Sequence, residues 1–219
     1  MTKHTRLIFI AAFLFSSLSF ATSCKANDKQ EKEKEEAVAK ENTEKELTLE
    51  RLKTKADSAL LYSKAKGFST KYCILIDFSI HSGKKRFFVW DFENDTIKYS
   101  SLCCHGYGQN STTTKPVFSN VEGSYCSSLG KYKVDTRSYS SWGINVHYKM
   151  YGQEKTNSNA FKRIIVMHSH TPIPEHEIFP RHLPLGYSQG CPVISDETMR
   201  KVDALMKEIK KPVLMWIYI

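Results

Sequence analysis

The sequence predicts a mainly β domain with an N-terminal helix before it and one packed helix near its C-terminal end. Short runs rich in β-branched and aromatic residues recur after residue 72, separated by loops rich in Ser, Thr, Asn and Gly. Helical periodicity occurs once before these runs and once near their end, and it does not alternate with them as in an α/β fold. The chain from residue 67 is long enough for one core, and no internal repeat is present.

The chain begins with the pattern of an export signal, and we interpret residues 1–23 as a signal peptide. Lys3 and Arg6 precede an apolar stretch over 7–20 that is too short for a comfortable membrane span. The small residues Ala-Thr-Ser before Cys24 suit signal peptidase and also resemble a lipobox, which would make Cys24 a lipidated N-terminus and a lipid anchor to the membrane. An uncleaved N-terminal anchor is a third interpretation. All three predict an exported protein of the periplasm or cell envelope.

Two segments separate this signal from the domain predicted over 67–219. Residues 24–46 are almost entirely charged or polar and contain no aromatic residue, so we interpret them as a charged linker, helical at most in part through Glu–Lys pairs. Over 47–66, apolar residues recur at helical spacing and predict an amphipathic helix that docks on the domain. Gly67 is placed to end this helix as a C-terminal cap.

The domain itself contains a succession of strand patterns and one helix. Ser195 stands before a helix with acidic residues in its first turn and an apolar stripe behind them, as a helix N-terminus favours. The β-rich runs that we interpret as strands are 73–78, 86–92, 97–103, the region of Val134, 144–150, 164–168 and 213–219.

The charge of the chain favours an anionic partner. Its net charge is +9, and residues 67–219 hold 19 basic and 13 acidic residues, a net charge of +6. A basic exported domain suits the carboxylate-bearing peptides of a cell wall or a phospholipid surface. The basic residues are dispersed and no nucleic-acid-binding motif is present, so we expect no nucleic-acid partner. We expect a monomer.

Cysteine chemistry is indicated by Cys191, which directly follows Gly190, and by His168, which ends an apolar run 23 residues earlier. A thiol needs a nearby base or cation to react at neutral pH, and a histidine at the end of a rigid strand supplies one. Gly190 allows close approach of a substrate to the backbone. The amides of Gly190 and Cys191, with that of Gln189, are candidates for an oxyanion hole.

At these residues the chain resembles the YkuD-type L,D-transpeptidases, and in particular the subgroup with Ser-x-Gly-Cys-Pro, the murein L,D-transpeptidase catalytic domain proteins. The resemblance covers roughly residues 50–219. It implies a β-sandwich of mixed sheets with a groove at one end, lined by the loop that carries Cys191. It is carried, besides 188–192, by residues 72–79, 85–89, 104–106, 118–120 and 127–132.

The resemblance also implies the roles of individual residues on peptidoglycan stem peptides, without a cofactor. Cys191 would attack the carbonyl of the third stem residue and expel D-alanine, and an amine of another stem would resolve the thioester into a 3→3 cross-link. His168 would be oriented by the Ser169 hydroxyl or by a backbone carbonyl. Ser188 would shape the loop, and His105 and Gly106 would line the groove.

The chain departs from the family pattern at two positions. Gln189 stands where many members have a second histidine, which leaves His168 as the candidate base. Val193 stands where many have arginine or asparagine, so a contact to a substrate carboxylate is missing, for which Lys115, Arg163 or Arg181 are candidates.

Several alternatives remain open from the sequence. Water could resolve the thioester, giving an L,D-carboxypeptidase or endopeptidase, or the chain could be a non-catalytic wall-binding lipoprotein. Export permits disulfides, and Cys103 or Cys104 could pair with Cys126, leaving Cys191 as the unpaired thiol. Histidines 105, 168, 170, 176 and 182 have no regular metal-ligand spacing, so we expect no metal site.

Overall fold

A computed structural model describes the backbone of residues 21–219 and the side chains from residue 34 onward, apart from residues 37 and 41. The signal peptide predicted over 1–23 lies almost wholly outside the described residues, and the side chain of Cys24 lies outside them as well. In the described part of the chain, no helix is both long and apolar enough to cross a membrane.

Helix α1 spans Ala21–Lys66, so the segment 24–46 is helical along its whole length and not only in part. The chain divides within this helix into two compact units, Met1–Leu49 and Glu50–Ile219. In the first unit nearly all described side chains are exposed, as expected for a segment held by its own backbone hydrogen bonds and by charged pairs one turn apart.

The part of α1 in the second unit packs as the sequence predicts. Its buried stripe consists of Leu52, Ala56, Ala59 and Ser63, all at most 1% exposed. The helix ends at Lys66, where Gly67 adopts the left-handed conformation with a φ of 69° that an ordinary side chain would disfavour.

Eight strands and a second helix follow. The strands are β1 (Tyr72–Asp77), β2 (Phe87–Asp91), β3 (Thr96–Ser101), β4 (Gly130–Tyr139), β5 (Val146–Gly152), β6 (Val166–Ser169), β7 (Val193–Ile194) and β8 (Val213–Tyr218), and helix α2 (Asp196–Glu208) lies between β7 and β8.

The strands form one mixed sheet in the order β3-β2-β1-β8-β4-β5-β6-β7. Only β1 with β8 and β6 with β7 pair in parallel. Beyond β3, Cys104 forms an antiparallel bridge to Val193 in β7, so the two edges meet and the sheet nearly closes into a barrel. The prediction of a mainly β fold of mixed strands with two helices is confirmed. Because β8 pairs with both β1 and β4, the two halves are continuous rather than separate sheets.

The two helices bury opposite faces of this sheet. The stripe of α1 packs against alternate residues of β1 and β2, including Leu75 and Trp90. The stripe of α2, with Met199 and Val202 at its centre, packs on the other face of the sheet, against the intervening strand residues such as Ile74. This alternation follows from the period of two along a strand.

The N-terminus of α2 is satisfied differently from the sequence prediction. Ser195 occupies the N-cap position, but its hydroxyl makes no cap bond and donates instead to Glu175 Oε2 at 2.7 Å. Glu175 Oε1 accepts the N–H of Glu197 at 2.8 Å. A carboxylate from a distant loop therefore supplies the cap, and its negative charge is favourable at that end of the helix.

Candidate active site

The parallel pair β6–β7 places the predicted base and nucleophile on neighbouring segments. His168 is paired with Val193, and its N–H donates to the carbonyl of Pro192 at 3.4 Å. Continuing this register by two residues sets Cys191 opposite Val166. With ordinary strand spacings, the Cα atoms of His168 and Cys191 are then about 8 Å apart, which the two side chains can bridge.

The ring of His168 is held in one tautomer by the next residue. Its Nδ1 lies 2.9 Å from the carbonyl oxygen of Ser169, and because a carbonyl only accepts, Nδ1 carries the proton. Burial lowers the pKa of His168, which favours the neutral ring, although the bond to Ser169 opposes this effect. Nε2 makes no hydrogen bond to any described residue, so its lone pair is free to accept a proton.

Ser169 contacts the ring of His168 through its carbonyl, which is one of the two alternatives left open by the sequence. The hydroxyl oxygen faces the other way and accepts the N–H of Ile144 at 3.1 Å. Ser169 is fully buried, so both of these contacts are shielded from water.

Cys191 is partly exposed as a residue, while its thiol sits against the start of β6. Its Sγ accepts the N–H of Val166 at 3.4 Å and lies 3.9 Å from the carbonyl oxygen of Ile164. Burial raises the pKa of this thiol, while the Val166 N–H and the positive charge of Arg163 act in the opposite direction. The resting state that this environment favours is a neutral thiol beside a neutral imidazole.

The loop before Cys191 is closed by Ser188, whose buried hydroxyl accepts the N–H of Gly190 at 3.0 Å and donates to the carbonyl of Cys191 at 2.6 Å. Gly190 has a φ of 113°, and a Cβ there would lie 2.5 Å from the carbonyl oxygen of Cys126. The amide of Gly190 is thus occupied. The amides of Gln189 and Cys191 donate to no acceptor in the part of the chain that the structure describes.

Arg163 fixes the neighbouring loop to this site. Its guanidinium donates to the carbonyl of Ser119 at 2.9 Å, to the hydroxyl of Ser128 at 2.6 Å and to the carbonyl of Cys126 at 2.5 Å. These bonds use the planar fork that distinguishes arginine from lysine. Of the three cations considered for a substrate carboxylate, Arg163 is therefore already committed to protein acceptors.

His105 and Gly106 lie beneath the site surface. Arg86 donates to Nδ1 of His105 at 2.9 Å, and Nε2 lies 2.9 Å from the carbonyl of Thr112, so Nε2 carries the proton. Burial and then the charge of Arg86 lower the pKa of His105 to about 4. Both ring nitrogens are occupied within the protein, and a Cβ at Gly106 would lie 2.2 Å from the carbonyl oxygen of Tyr125. Gly106 is linked to the loop of Cys191 through Ser127, whose hydroxyl accepts the N–H of Gly106 at 3.0 Å and donates to the carbonyl of Gly190 at 3.3 Å.

The segment 171–185, between base and nucleophile, is tied to the loop after β1. The carbonyl of Gly83 accepts the N–H groups of Ile178 and Phe179 at 2.8 and 3.1 Å. The rings of His81 and His182 stack with centroids 3.6 Å apart.

Among the described residues, no group of three or more His, Cys, Asp or Glu is arranged to hold a metal ion.

Aromatic rings flank the site on the side of His168. His170 lies edge-to-face with Trp142 at 5.2 Å and with Tyr187 at 4.9 Å between ring centroids. This row of rings was not predicted from the sequence, because its members come from three separate segments. Nor was His147, which is paired with His168 across β5 and β6; only the register could have revealed it.

The five cysteines whose side chains are described are all free thiols. The bridge considered between Cys103 or Cys104 and Cys126 is not formed. Cys103, Cys104 and Cys126 are each buried in the domain, where they pack as small apolar side chains.

Comparison with solved structures finds similar chains at low identity. The helical cell shape determining protein Pgp2 from Campylobacter jejuni, solved as such and as a K307A mutant, is similar with a TM-score of 0.44 and 11% identity, covering 67% of this chain. The chain spans 46% of the length of Pgp2. The L,D-transpeptidase from Xylanimonas cellulosilytica has a TM-score of 0.39 and 12% identity, with 72% of this chain and 68% of that chain covered.

The comparison of sequences gives a broader match. No curated protein matches the chain. The family model for the L,D-transpeptidase catalytic domain (YkuD_2) matches residues 43–218, which include both Cys191 and His168. The chain therefore belongs to the L,D-transpeptidase catalytic domain family, whose members are enzymes that modify peptidoglycan.

Proposed function

We propose that the chain is an L,D-transpeptidase that forms 3→3 cross-links through a thioester on Cys191. The observation that carries this proposal is the tautomer of His168: Nδ1–H is donated to Ser169, and Nε2 is left as a free base on the strand next to the thiol. His168 takes the proton of Cys191 as Sγ attacks, and the imidazolium then returns it to the departing amine.

The reaction has two balanced halves. In the first, Sγ bonds to the carbonyl carbon of the third stem residue, the amide bond to D-alanine breaks, and D-alanine leaves with a proton from His168. In the second, the amine of another stem gives its proton to His168, attacks the thioester, and restores the thiol. The unused amides of Cys191 and Gln189 are the proposed donors to the oxyanion, while that of Gly190 holds the loop.

Turnover of purified muropeptides tests the proposal. The protein is incubated with disaccharide-tetrapeptide monomers, and products are separated by liquid chromatography and identified by mass spectrometry. We expect dimers and released D-alanine with the wild type, none with Cys191→Ser, and unchanged products with Cys73→Ala, a buried thiol elsewhere in the sheet. Tripeptide monomers without dimers would show that water resolves the thioester and that the protein is an L,D-carboxypeptidase instead. Equal turnover by Cys191→Ser would overturn the assigned nucleophile.

Acylation by a carbapenem gives a test that needs no acceptor. A strained β-lactam supplies the carbonyl, so the intact protein should gain the mass of one carbapenem on Cys191. Absence of the adduct from the wild type, with the thiol shown to be reduced, would contradict the thioester mechanism.

We further propose that the chain is exported and lipid-anchored, with residues 1–23 as signal peptide, Cys24 as the modified residue, 24–46 as spacer, and the catalytic domain over 67–219 behind the helix 47–66. The sequence around Cys24 supports this arrangement. Metabolic labelling with a fatty acid should mark the wild type and not Cys24→Ala. Equal labelling of both would exclude Cys24 as the anchor.

A further inference from the structure

The turn between β4 and β5 presents two large aromatic side chains to solvent. Tyr139 is 73% exposed and Trp142 is 57% exposed. Residues 138–145 read Ser-Tyr-Ser-Ser-Trp-Gly-Ile-Asn and contain no charged side chain, in a chain of which 25% is charged. Tyrosine, tryptophan and serine are the residues that binding loops favour, because rigid rings give contact area and short hydroxyls give adaptable hydrogen bonds.

This turn is held rigidly on the residue that orients the base. Gly143 has a φ of 56°, and a Cβ there would lie 2.0 Å from the hydroxyl oxygen of Ser169. The same hydroxyl accepts the N–H of Ile144 at 3.1 Å. The two ends of the turn are joined as well, since the N–H of Ser140 donates to the carbonyl of Asn145 at 3.1 Å. An exposed indole on such an ordered backbone costs little further entropy when it binds a ligand.

Two further rings connect the exposed indole with the loop that carries Cys191. From Trp142 the row of rings passes through His170 to Tyr187, which lies four residues before Cys191. All three rings keep part of their surface open to solvent. The row therefore extends outward from the thiol along the side of His168.

We propose that Trp142 forms a subsite for the glycan strand of peptidoglycan, with a pyranose ring stacked on its indole. This inference rests on the proposed function, because it places the glycan of the acyl donor beside its stem peptide. A pyranose offers an apolar C–H face to an aromatic ring and hydroxyl or acetamido groups to neighbouring hydroxyls such as that of Ser141. The absence of charge in residues 138–145 favours a neutral sugar over the carboxylate-bearing stem.

Binding to the inactive protein tests the subsite separately from catalysis. Cys191→Ser is titrated by calorimetry with two probes: an oligosaccharide of N-acetylglucosamine units, which is neutral because it has no lactyl carboxylate, and a free stem tetrapeptide. We expect the oligosaccharide to bind. Adding Trp142→Ala should weaken it at least tenfold, Trp142→Phe less, while tetrapeptide affinity is unchanged by either.

A matched control is Phe161→Ala, since Phe161 is also exposed, at 56%, and stacks on Tyr151 instead of this row. Circular dichroism and thermal melting should be unchanged by Trp142→Ala, because the indole is not part of the core. Three results would overturn the subsite: no binding of the oligosaccharide, equal binding by Trp142→Ala, or an equal loss with Phe161→Ala. If Trp142→Ala lowers the affinity for the tetrapeptide alone, the indole of Trp142 binds the stem peptide and not the glycan. None of these results bears on muropeptide turnover by the wild type.

Discussion

Asp203 of α2 offers the sharpest stability prediction, because three side chains converge on its buried carboxylate. Arg137 donates to it at 2.6 Å, the hydroxyl of Tyr148 at 2.8 Å, and Lys207 lies 2.8 Å from its second oxygen. Burial alone would raise the pKa of Asp203, but these hydrogen bonds outweigh it and lower the pKa from 3.8 to about 2. We predict that Asp203→Asn destabilises the domain at neutral pH.

The magnitude follows from this shift. At about 1.4 kcal/mol per pKa unit, the charged form of Asp203 contributes at most about 2.5 kcal/mol. The Arg137 and Lys207 side chains are 44% and 55% exposed, and solvent screening reduces this to roughly 1–2 kcal/mol. Because the folded pKa lies below the unfolded one, the contribution is complete above pH 3.8 and is lost as the pH falls towards 2.

Urea unfolding followed by fluorescence measures this difference between pH 7 and pH 2.5. The control is Asp135→Asn, which removes an exposed carboxylate of β4 lying 3.5 Å from Lys133 and should change the free energy of unfolding by less than about 0.5 kcal/mol. The reasoning is refuted if Asp203→Asn costs no more than this control, or if its cost is the same at both ends of the pH range.

Two further predictions concern the catalytic loop. Gly190→Ala should abolish thioester formation, because its Cβ would collide with the carbonyl of Cys126. The control Gly186→Ala has nearly the same φ of 110° but open space around its Cβ, so it should retain activity. If both variants lose carbapenem-adduct formation equally, backbone strain and not the collision is the cause. The raised pKa of Cys191 and lowered pKa of His168 predict that alkylation of Cys191 by iodoacetamide keeps accelerating above pH 8. A plateau below pH 7, read by peptide mass spectrometry, would instead indicate a thiolate–imidazolium pair.

The local backbone of the candidate site could be predicted from the sequence, because it depends on local patterns. For the apolar run before His168 and for the turn around Gly190, consecutive residues in the sequence are enough to predict the backbone conformation. The end of α1 at Gly67 was predicted for the same reason. The helix over residues 24–46 is longer than predicted, because a helix can satisfy its backbone hydrogen bonds without burying its side chains.

The remaining features depend on contacts between distant segments. Nothing near Ser195 in the sequence indicates that Glu175 caps α2 in its place. His105 resembled a groove residue, but the buried guanidinium of Arg86 occupies one of its nitrogens. A local pattern in the sequence identifies a polar side chain, whereas the residue to which that side chain bonds is determined by the order of the strands in the sheet.

Ser169 divides two tasks between its main chain and its side chain. Any residue at this position has the carbonyl that orients His168, but only a hydroxyl can hold the turn at Gly143 and Ile144. If His168 and Trp142 act as proposed, a change to glycine keeps the carbonyl contact to His168 and removes the hydroxyl contact to the turn that carries Trp142. Substrate binding and the reaction are then separable at this one position.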